Sequence, residues 1–324
     1  MARDKTLSPC LPEGSGTATP RWFGALFCFF FCLAATICEA APAQSAKPFR
    51  VFTKREGNVT RFFVENFEAA EITATFEMDL ENLTGSTNFP YTTTFPANKV
   101  SEAFTLTPIK PDAHWTYSYT THYTMGSSVA VHDRGQAYML PFEPGETFRV
   151  TQGYNGTYSH TGPDQYAIDF RMPVGTPVHA ARGGTVVKVK IDSSVGGGDR
   201  KYQNQANYIL VRHGDATLAN YAHLKKDGAV VKVGDTIEAG ELIGYSGNTG
   251  FSSGPHLHFS VFKTRNGSQR QTLPVKFRTS DAISLTLAEG KNYTCTHHTV
   301  ARVKPSRQTS PVMADTKADA AGRP

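Results

Sequence analysis

Strand-like alternation of side chains runs through most of the chain, and no helical periodicity of useful length interrupts it. Between about residues 47 and 135, apolar and polar residues alternate in short runs rich in Thr, Tyr and Phe, for example 72–76 and 115–119. Successive side chains of a strand point to opposite faces, so such runs between turn residues predict strands. The pattern predicts a mostly β chain, with a small β-sandwich-like domain in its N-terminal part.

A turn-rich link at residues 140–145 divides the chain into two regions. After it, Gly-rich turns alternate with Val- and Ile-rich runs, which indicates a second fold that is again antiparallel and mostly β. The 324 residues leave room for two domains. We predict an N-terminal β-rich domain over 44–140, a second domain over 141–287, and a disordered tail over 288–324, because Pro, Ala, Ser and Lys dominate the last residues.

Residues 1–43 have the composition of an export signal. An uncharged run of 17 residues at 22–38 follows three basic residues and precedes small residues such as Ala40 and Ala43. A basic start, an apolar core and an A-x-A-like end are typical of a secretory signal peptide. The run is short for a spanning helix, which needs about 20 apolar residues, but an uncleaved anchor stays open. We expect an exported protein of the periplasm or cell envelope that contacts a membrane only if this segment is retained.

Processing of this segment would remove four of the five cysteines and leave Cys295. A secreted chain with one cysteine forms no internal disulfide, so its fold must be stable without covalent cross-links. The net charge would stay at +5, because the segment carries three basic and three acidic residues. This mild basicity suits an anionic polymer, but it is too weak to indicate a nucleic-acid partner.

The histidines of the second region suggest a metal, since six of the 11 fall between His160 and His258. One segment contains His160 and is followed by Asp169, a second contains His223, and a third contains His256 and His258. The last two alternate, so a strand would point both into one space. Zinc favours imidazole and carboxylate ligands, and a catalytic zinc uses three protein ligands and an open position. Two histidines and an aspartate meet that count and leave a histidine for proton transfer.

Several short motifs follow one another in this region. In chain order they are H-T-G at 160–162, D-F-R-M-P-V-G-T-P-V at 169–178, Y-A-H-L at 221–224, V-G-D at 233–235, G-Y-S-G-N-T-G at 244–250 and S-G-P-H-L-H-F at 253–259. This ordered set resembles the M23 family of zinc metallopeptidases, the LytM or lysostaphin type, which cut peptidoglycan peptides. The resemblance covers about residues 145–265 and implies an antiparallel β peptidase domain.

The resemblance implies a role for five residues of this sequence. His160, Asp169 and His258 would hold one zinc ion per catalytic domain. His256 would be the general base, and His223 would stabilise the transition state and assist proton transfer. The implied activity is hydrolysis of the peptide crosslinks of bacterial peptidoglycan by a zinc-activated water, with peptidoglycan peptides as the partner.

One aspartate departs from the family pattern. The usual spacing is H-x-G-x-D, and Asp164 stands at that distance from His160. The downstream P-x-G-T-P-V signature is instead in register with Asp169, which apolar residues flank as they would a strand residue. We therefore expect a short insertion around 165–168, Asp169 as the ligand, and Asp164 in a turn.

Two other functions stay open. One is a zinc peptidase of other secreted, glycine-rich proteins, and the other is a non-catalytic wall-binding or amidase-activating module. Such modules typically lose metal ligands, whereas the ligand set here is complete. The domain over 44–140 has no motif with assigned chemistry, so it either positions the enzyme on the wall or covers the groove. The sequence predicts neither the oligomeric state nor the bond that is cut.

Other polar residues of the second region have simpler interpretations. His179 follows Val178 in a predicted strand and is expected to be a rim or packing residue, and a structural hydrogen bond is favoured for His213 over support of a metal ligand. Asn207 is a candidate for lining the groove. His297 and His298 follow a cysteine, but their position next to the predicted tail argues against a metal site.

Overall fold

The computed structural model describes residues 48–279 and 284–296. The predicted export segment, His297, His298 and most of the predicted tail lie outside the described residues. Almost all regular structure in the described part is strand, and the sheets are mainly antiparallel, so the prediction of a mostly β fold is confirmed. None of the helices in these two described stretches has the length and apolar character needed to cross a membrane.

The first seven strands form the N-terminal unit, residues 48–126. Their bounds are β1 Phe49–Glu56, β2 Val59–Asn66, β3 Ile72–Glu81, β4 Leu83–Gly85, β5 Tyr91–Phe95, β6 Lys99–Pro108 and β7 Thr116–Met125. They pair in two sheets of order β1-β2-β6-β4 and β5-β3-β7. Both sheets contribute to one buried cluster, in which the ring centroids of Phe76 and Phe104 lie 5.2 Å apart. Edge-to-face aromatic pairs of this kind stabilise such a core beyond the area that they bury.

The second unit contains the remaining strands and two short 3-10 helices. Their bounds are β8 Ala137–Tyr138, β9 Thr147–Gln152, η1 Gly162–Asp164, β10 Ile168–Phe170, β11 Pro177–His179, β12 Gly184–Lys190, β13 Gly196–Gly197, η2 Arg200–Gln205, β14 Tyr208–Arg212, β15 Leu218–Ala222, β16 Leu224–Ala229, β17 Thr236–Ile237, β18 Leu242–Ser246, β19 Gly250–Phe251, β20 Leu257–Asn266, β21 Gln269–Thr272, β22 Lys276–Phe277 and β23 Asn292–Thr294. The short pairs β13–β19 and β22–β8 are parallel, unlike the other paired strands described.

Nine strands form what we call the large sheet. Its order is β17-β12-β14-β15-β20-β10-β9-β23, and β21 also pairs with β20. Its two faces have different partners because side chains alternate along each strand. On β20, Leu257, Phe259 and Val261 lie in the main core, whereas His258 and Phe262 point to the opposite face.

The N-terminal unit packs on that opposite face of the large sheet. We call this contact the inter-unit seam, and its fully or nearly buried side chains are Ala70, Val187, Leu210, Leu218 and Phe262. Two ion pairs border it. Lys188 donates to Glu68 Oε1 at 2.8 Å, and Arg212 Nε donates to Glu71 Oε2 at 2.7 Å. The seam joins the two units through both apolar burial and charge pairing.

Two predicted boundaries need correction. We predicted a disordered tail over 288–324, but β23 lies inside that range, pairs with β9, and is followed by the buried Cys295. Residues 292–294 form a short strand at the edge of the large sheet. The polar residues that follow it along the chain led to the prediction of disorder. At the other end, Tyr138 precedes the predicted start at 141 but is fully buried in the main core.

One buried histidine makes the stability of this fold depend on pH. His213 is fully buried, and its Nδ1–H donates to the Gly183 carbonyl oxygen at 2.8 Å. Burial lowers the pKa of His213 to about 4, although the hydrogen bond to Gly183 acts in the opposite direction. The charges of Arg182 and His132 lower this pKa further, and the charge of Asp215 raises it. Between about pH 6.5 and pH 4 the unfolded chain binds a proton here that the folded chain does not. Stability therefore falls as the pH falls through this window.

We expect the free energy of unfolding of the wild type to drop by about 3 kcal/mol more than that of His213→Gln between pH 7 and pH 4. Urea unfolding followed by circular dichroism at several pH values measures this difference. His114→Gln changes an exposed histidine and should follow the wild type. Parallel pH curves for the wild type and His213→Gln would show that His213 is not the titrating group.

Candidate metal centre

The large sheet brings Asp169 and His258 side by side. Asp169 on β10 is the direct partner of His258 on β20 in the antiparallel register. Their neighbours Ile168, Phe170 and Leu257 are fully buried in the main core. The alternation that buries these apolar residues turns the carboxylate and the imidazole to the opposite face.

The third predicted ligand comes from the loop before η1. His160 is fully buried, and its Nε2 lies 3.1 Å from Asp169 Oδ1. His258 Nδ1 lies 2.9 Å from the same oxygen. One ligand atom from each of the three side chains falls within 4.8 Å of the others, the spacing of a metal-binding group.

The position of the hydrogen on the His160 ring favours a cation between His160 and Asp169. His160 Nδ1 lies 2.9 Å from the Gly153 carbonyl oxygen, which can only accept, so Nδ1 carries the hydrogen. In the neutral ring Nε2 then presents a lone pair to the Asp169 carboxylate, and two acceptors repel unless a proton or metal ion lies between them. A ligand histidine that donates its other N–H to a backbone carbonyl is the usual arrangement in metal sites. The donor set fits a metal ion.

Charge within the cluster favours ionised Asp169. Burial opposes ionisation, but hydrogen bonds from His160 and His258 hold the pKa of Asp169 well below its ordinary value. Burial likewise opposes protonation of His160, and the Asp169 hydrogen bond and charge nevertheless raise the pKa of His160. Each shift reflects the attraction between this carboxylate and a positive charge beside it.

Gln152 orients the second oxygen of the carboxylate. Its Nε2 donates to Asp169 Oδ2 at 3.1 Å and to Ser159 Oγ at 2.7 Å. Its Oε1 accepts the backbone N–H groups of Tyr158 and Ser159 at 3.1 and 2.9 Å. One side chain therefore fixes both the aspartate and the loop that leads into His160.

His223 is aimed at the cluster by an unusual backbone conformation. It stands alone between β15 and β16, with a φ of 63° in the left-handed region. That conformation is uncommon for a residue other than glycine, and strain of this kind concentrates at functional sites. Its Nδ1–H donates to the Thr249 carbonyl oxygen at 2.7 Å. Burial, with the nearby charges of His256 and His258, lowers the pKa of His223 to about 3. The ring is therefore neutral and offers Nε2 as an acceptor.

His256 faces His223 across the same space. The two ring centroids are 4.5 Å apart, and His256 Nε2 lies 3.8 Å from Asp169 Oδ1. Its Nδ1 lies 2.8 Å from the Gly254 carbonyl oxygen and 3.1 Å from Ser252 Oγ. These partners place the hydrogen on Nδ1 and leave a lone pair on Nε2, as a general base requires.

The two candidate aspartates occupy different places. Asp164 lies in η1 and accepts a hydrogen bond from Arg270 Nη2 at 2.7 Å. Asp169 instead lies against His160 and His258. The geometry thus groups the two histidines with the aspartate that the sequence favoured.

His160, Asp169, His258, His223 and His256 together form a cluster of five side chains. Other candidates from the sequence lie outside it. His179 is buried, and its Nδ1–H donates to the Gly240 carbonyl oxygen at 2.9 Å. Asn207 was a candidate for the groove, but it is fully buried, and its amide binds the backbone of Ser193 and Leu224. Its side chain therefore ties a loop to the start of β16. Gln152, Thr249 and Ser252 support the site, and no spacing rule in the sequence pointed to them.

Two stacked aromatic rings lie in the segments that lead to His160 and His256. Tyr158 and Phe251 are stacked, with centroids 5.9 Å apart and an interplanar angle of 12°. Tyr158 lies two residues before His160, and Phe251 lies five residues before His256. The stack therefore connects the loop of one predicted ligand to the loop of the predicted base.

Three converging metal-ligand groups beside two further imidazoles are the arrangement that a metal-dependent hydrolase requires. Residues 163–271 match the family described as Peptidase family M23. The chain therefore carries an M23 peptidase domain, and the resemblance seen in its motifs is confirmed. Asp169, His223, His256 and His258 fall inside the matched residues, and His160 falls three residues before them.

Several known proteins are similar to this domain. Lysostaphin of Staphylococcus simulans is 43% identical over 115 residues, which are 35% of this chain and 21% of that protein. Peptidoglycan DD-endopeptidase ShyA of Vibrio cholerae is 39% identical over 93 residues, which are 29% of this chain and 19% of that protein. An uncharacterized metalloprotease of Buchnera aphidicola is 38% identical over 109 residues, or 34% and 26% of the two chains. The chain spans about a fifth to a quarter of the length of these relatives.

A solved structure gives a similar match. The catalytic domain of lysostaphin from Staphylococcus simulans has 31% sequence identity, and the match covers 39% of this chain and 87% of that one, with a TM-score of 0.28.

We expect Asp169→Asn to abolish tight binding of a divalent metal and Asp164→Asn to leave it unchanged. Losing an outer partner of a metal site typically costs 10–100-fold in affinity, and losing this shared carboxylate should cost more. Titration of metal-free protein with Co²⁺, followed by visible absorption, measures affinity and stoichiometry for both variants. Equal losses in both variants, or tight binding by Asp169→Asn, would contradict the assignment.

Proposed function

We propose that this protein is an exported zinc metalloendopeptidase that hydrolyses peptide crosslinks of bacterial peptidoglycan. The observation that carries the proposal is the cluster of five side chains, in which two histidines and one aspartate converge beside His223 and His256. A site for hydrolysis needs both a metal position and a proton acceptor next to it, and this cluster provides both.

The choice of substrate is supported by the relatives. ShyA is named a peptidoglycan DD-endopeptidase, and a protein of Staphylococcus capitis that is 43% identical over 98 residues is named a glycyl-glycine endopeptidase. These names cover two kinds of peptide bond, so the bond cut by this chain is left to experiment. The basic net charge of +5 is favourable for an anionic wall polymer.

His160, Asp169 and His258 are the residues that would hold the metal, and we propose zinc because two imidazoles and one carboxylate are a common zinc ligand set. Bound zinc supplies Lewis-acid polarisation of the scissile carbonyl and a lowered pKa for a water molecule. Gln152 keeps Asp169 Oδ2 engaged, so that Oδ1 stays directed at the two imidazoles.

Proton transfer falls to His256 in this proposal. Its Nε2 takes a proton from the attacking water while Nδ1–H stays bound to the Gly254 carbonyl. The water oxygen forms the new bond to the scissile carbon, the carbon–nitrogen bond breaks, and His256 returns the proton to the leaving amine. His223 faces His256, and its ring is neutral because its pKa is lowered to about 3. Its Nε2 therefore accepts a hydrogen bond. The ring can stabilise an oxyanion only after Nε2 has taken up a proton.

Export is part of the proposal because peptidoglycan lies outside the cytoplasmic membrane. Its support is the composition of residues 1–43, which lie outside the described residues. Cleavage of this segment would release the enzyme, and retention would anchor it.

We expect protein spanning residues 44–324, loaded with zinc, to release soluble muropeptides from isolated sacculi, and a chelator to stop the release. His256→Ala should lower the rate by about 10²–10⁴-fold, the usual contribution of a general base. Mass spectrometry of the products identifies the bond, and metal analysis of the variant checks that zinc is retained. His114→Ala, an exposed histidine, is the matched control and should act as the wild type.

A parallel digestion of a glycine-rich protein tests the competing substrate class. Cleavage of that protein with intact sacculi would replace the peptidoglycan proposal. Zinc binding without cleavage of either material would overturn the enzyme proposal and favour a binding module.

A further inference from the structure

Three cross-strand pairs of β15 and β20 share the face of the large sheet that carries Asp169. In order from the metal centre to the inter-unit seam, they are Ala222 with His258, Asn220 with Ser260, and Leu218 with Phe262. The residues between them, such as Phe259 and Val261, point into the main core instead. The sheet therefore places one polar pair directly between a predicted metal ligand and the seam.

The side chains of this polar pair have no hydrogen-bond partner in residues 48–279 and 284–296. Ser260 is 1% exposed, and its Oγ is buried without a partner. The Asn220 amide, opposite it, likewise forms no hydrogen bond with this part of the chain. Buried polar groups are nearly always paired, because an unpaired one has lost its hydrogen bonds to water. Two such groups side by side suit a polar group from outside the chain.

Asn220 is as accessible as the metal ligands. It is 8% exposed, and Asp169 is 7% exposed. Ala222, the next residue of β15 on this face, has only a methyl group, so no long side chain of that strand stands between Asn220 and His258. Two residues of a strand span about 7 Å. A substrate held at the metal centre therefore reaches Asn220 with about two peptide units.

The face is closed beyond the polar pair. Leu218 and Phe262 are buried in the inter-unit seam, where Ala69 and Ala70 of the N-terminal unit pack against them. A peptide that passes from the metal centre to Asn220 cannot continue along β20 on this face. It must end or turn beside the polar pair, which makes this a defined position for one peptide unit.

We propose that Asn220 binds a backbone peptide group of the substrate beside the metal centre, with the Ser260 hydroxyl as a second polar partner. A carboxamide has an acceptor oxygen and two N–H donors, so it can pair with both the N–H and the C=O of a peptide group. Both side chains are neutral, which suits a neutral peptide group better than a buried charge. The inference rests on the proposed peptidase function and names a residue that binds its substrate.

A series of synthetic crosslinked stem peptides tests the proposal. In each member one backbone amide is replaced by an ester, which removes one N–H donor, and the parent peptide keeps every amide. Fluorescence anisotropy on zinc-loaded His256→Ala protein measures binding without cleavage. We expect the ester at one position to weaken binding by about three- to tenfold, the contribution of one neutral hydrogen bond.

Adding Asn220→Ala should weaken binding of the parent peptide about three- to tenfold and abolish the effect of that ester. Asn220→Leu, which keeps the approximate shape of the side chain without its amide, should do the same. Asn88→Ala changes an exposed asparagine of the N-terminal unit and should leave the whole series unchanged. Because the Asn220 amide has no partner in the described chain, its loss should leave urea unfolding and Co²⁺ affinity unchanged.

The proposal is overturned if folded Asn220→Ala and Asn220→Leu proteins bind the parent peptide as tightly as the His256→Ala protein does. It is also overturned if the same ester weakens binding equally with and without the Asn220 amide.

Cleavage by the wild type separates this inference from the proposed function. If the wild type cleaves no peptide of the series but the ester effect disappears with Asn220→Ala, the binding role of Asn220 stands and the peptidase proposal fails. If the wild type cleaves the parent peptide but Asn220→Ala changes neither binding nor KM, the peptidase proposal stands and the binding role fails.

Discussion

A single carboxylate oxygen, Asp169 Oδ1, is the point on which the candidate site depends. It lies 3.1 Å from His160 Nε2 and 2.9 Å from His258 Nδ1. Its position follows from the antiparallel register that sets Asp169 opposite His258. The apolar neighbours Ile168 and Phe170 hold that register, because a slip by one residue would bury the carboxylate and expose both of them. The hydrophobic core and the metal centre are therefore set by the same alternation.

Backbone carbonyls complete the chemistry of the site. The carbonyl oxygens of Gly153, Thr249 and Gly254 each accept an Nδ1–H, from His160, His223 and His256 respectively. Each bond leaves a lone pair on Nε2 and holds the ring in place. Because the acceptors are backbone carbonyls, the orientation of the three imidazoles depends on the conformation of the loops and less on the side chains at positions 153, 249 and 254.

The sequence could predict the parts of this site that depend on alternation and motif order. H-L-H in a strand placed His256 and His258 in one space, and the apolar flanks of Asp169 distinguished it from Asp164. The mostly β class followed from the same alternation. The sequence could not predict the left-handed backbone of His223, the role of Gln152 or the pairing of β23, because each depends on contacts between distant segments. The pH window of His213 likewise depends on burial that no local pattern reveals.

The inter-unit seam restricts recombination of the peptidase domain with other domains. Leu218 and Phe262 belong to strands of the peptidase domain, yet they are buried against the N-terminal unit on the face that carries Asp169 and His258. A recombination event that moved the second unit alone would leave this apolar patch bare, and bare patches favour aggregation. A second unit transplanted alone therefore needs either another segment that covers the patch or polar substitutions at these positions.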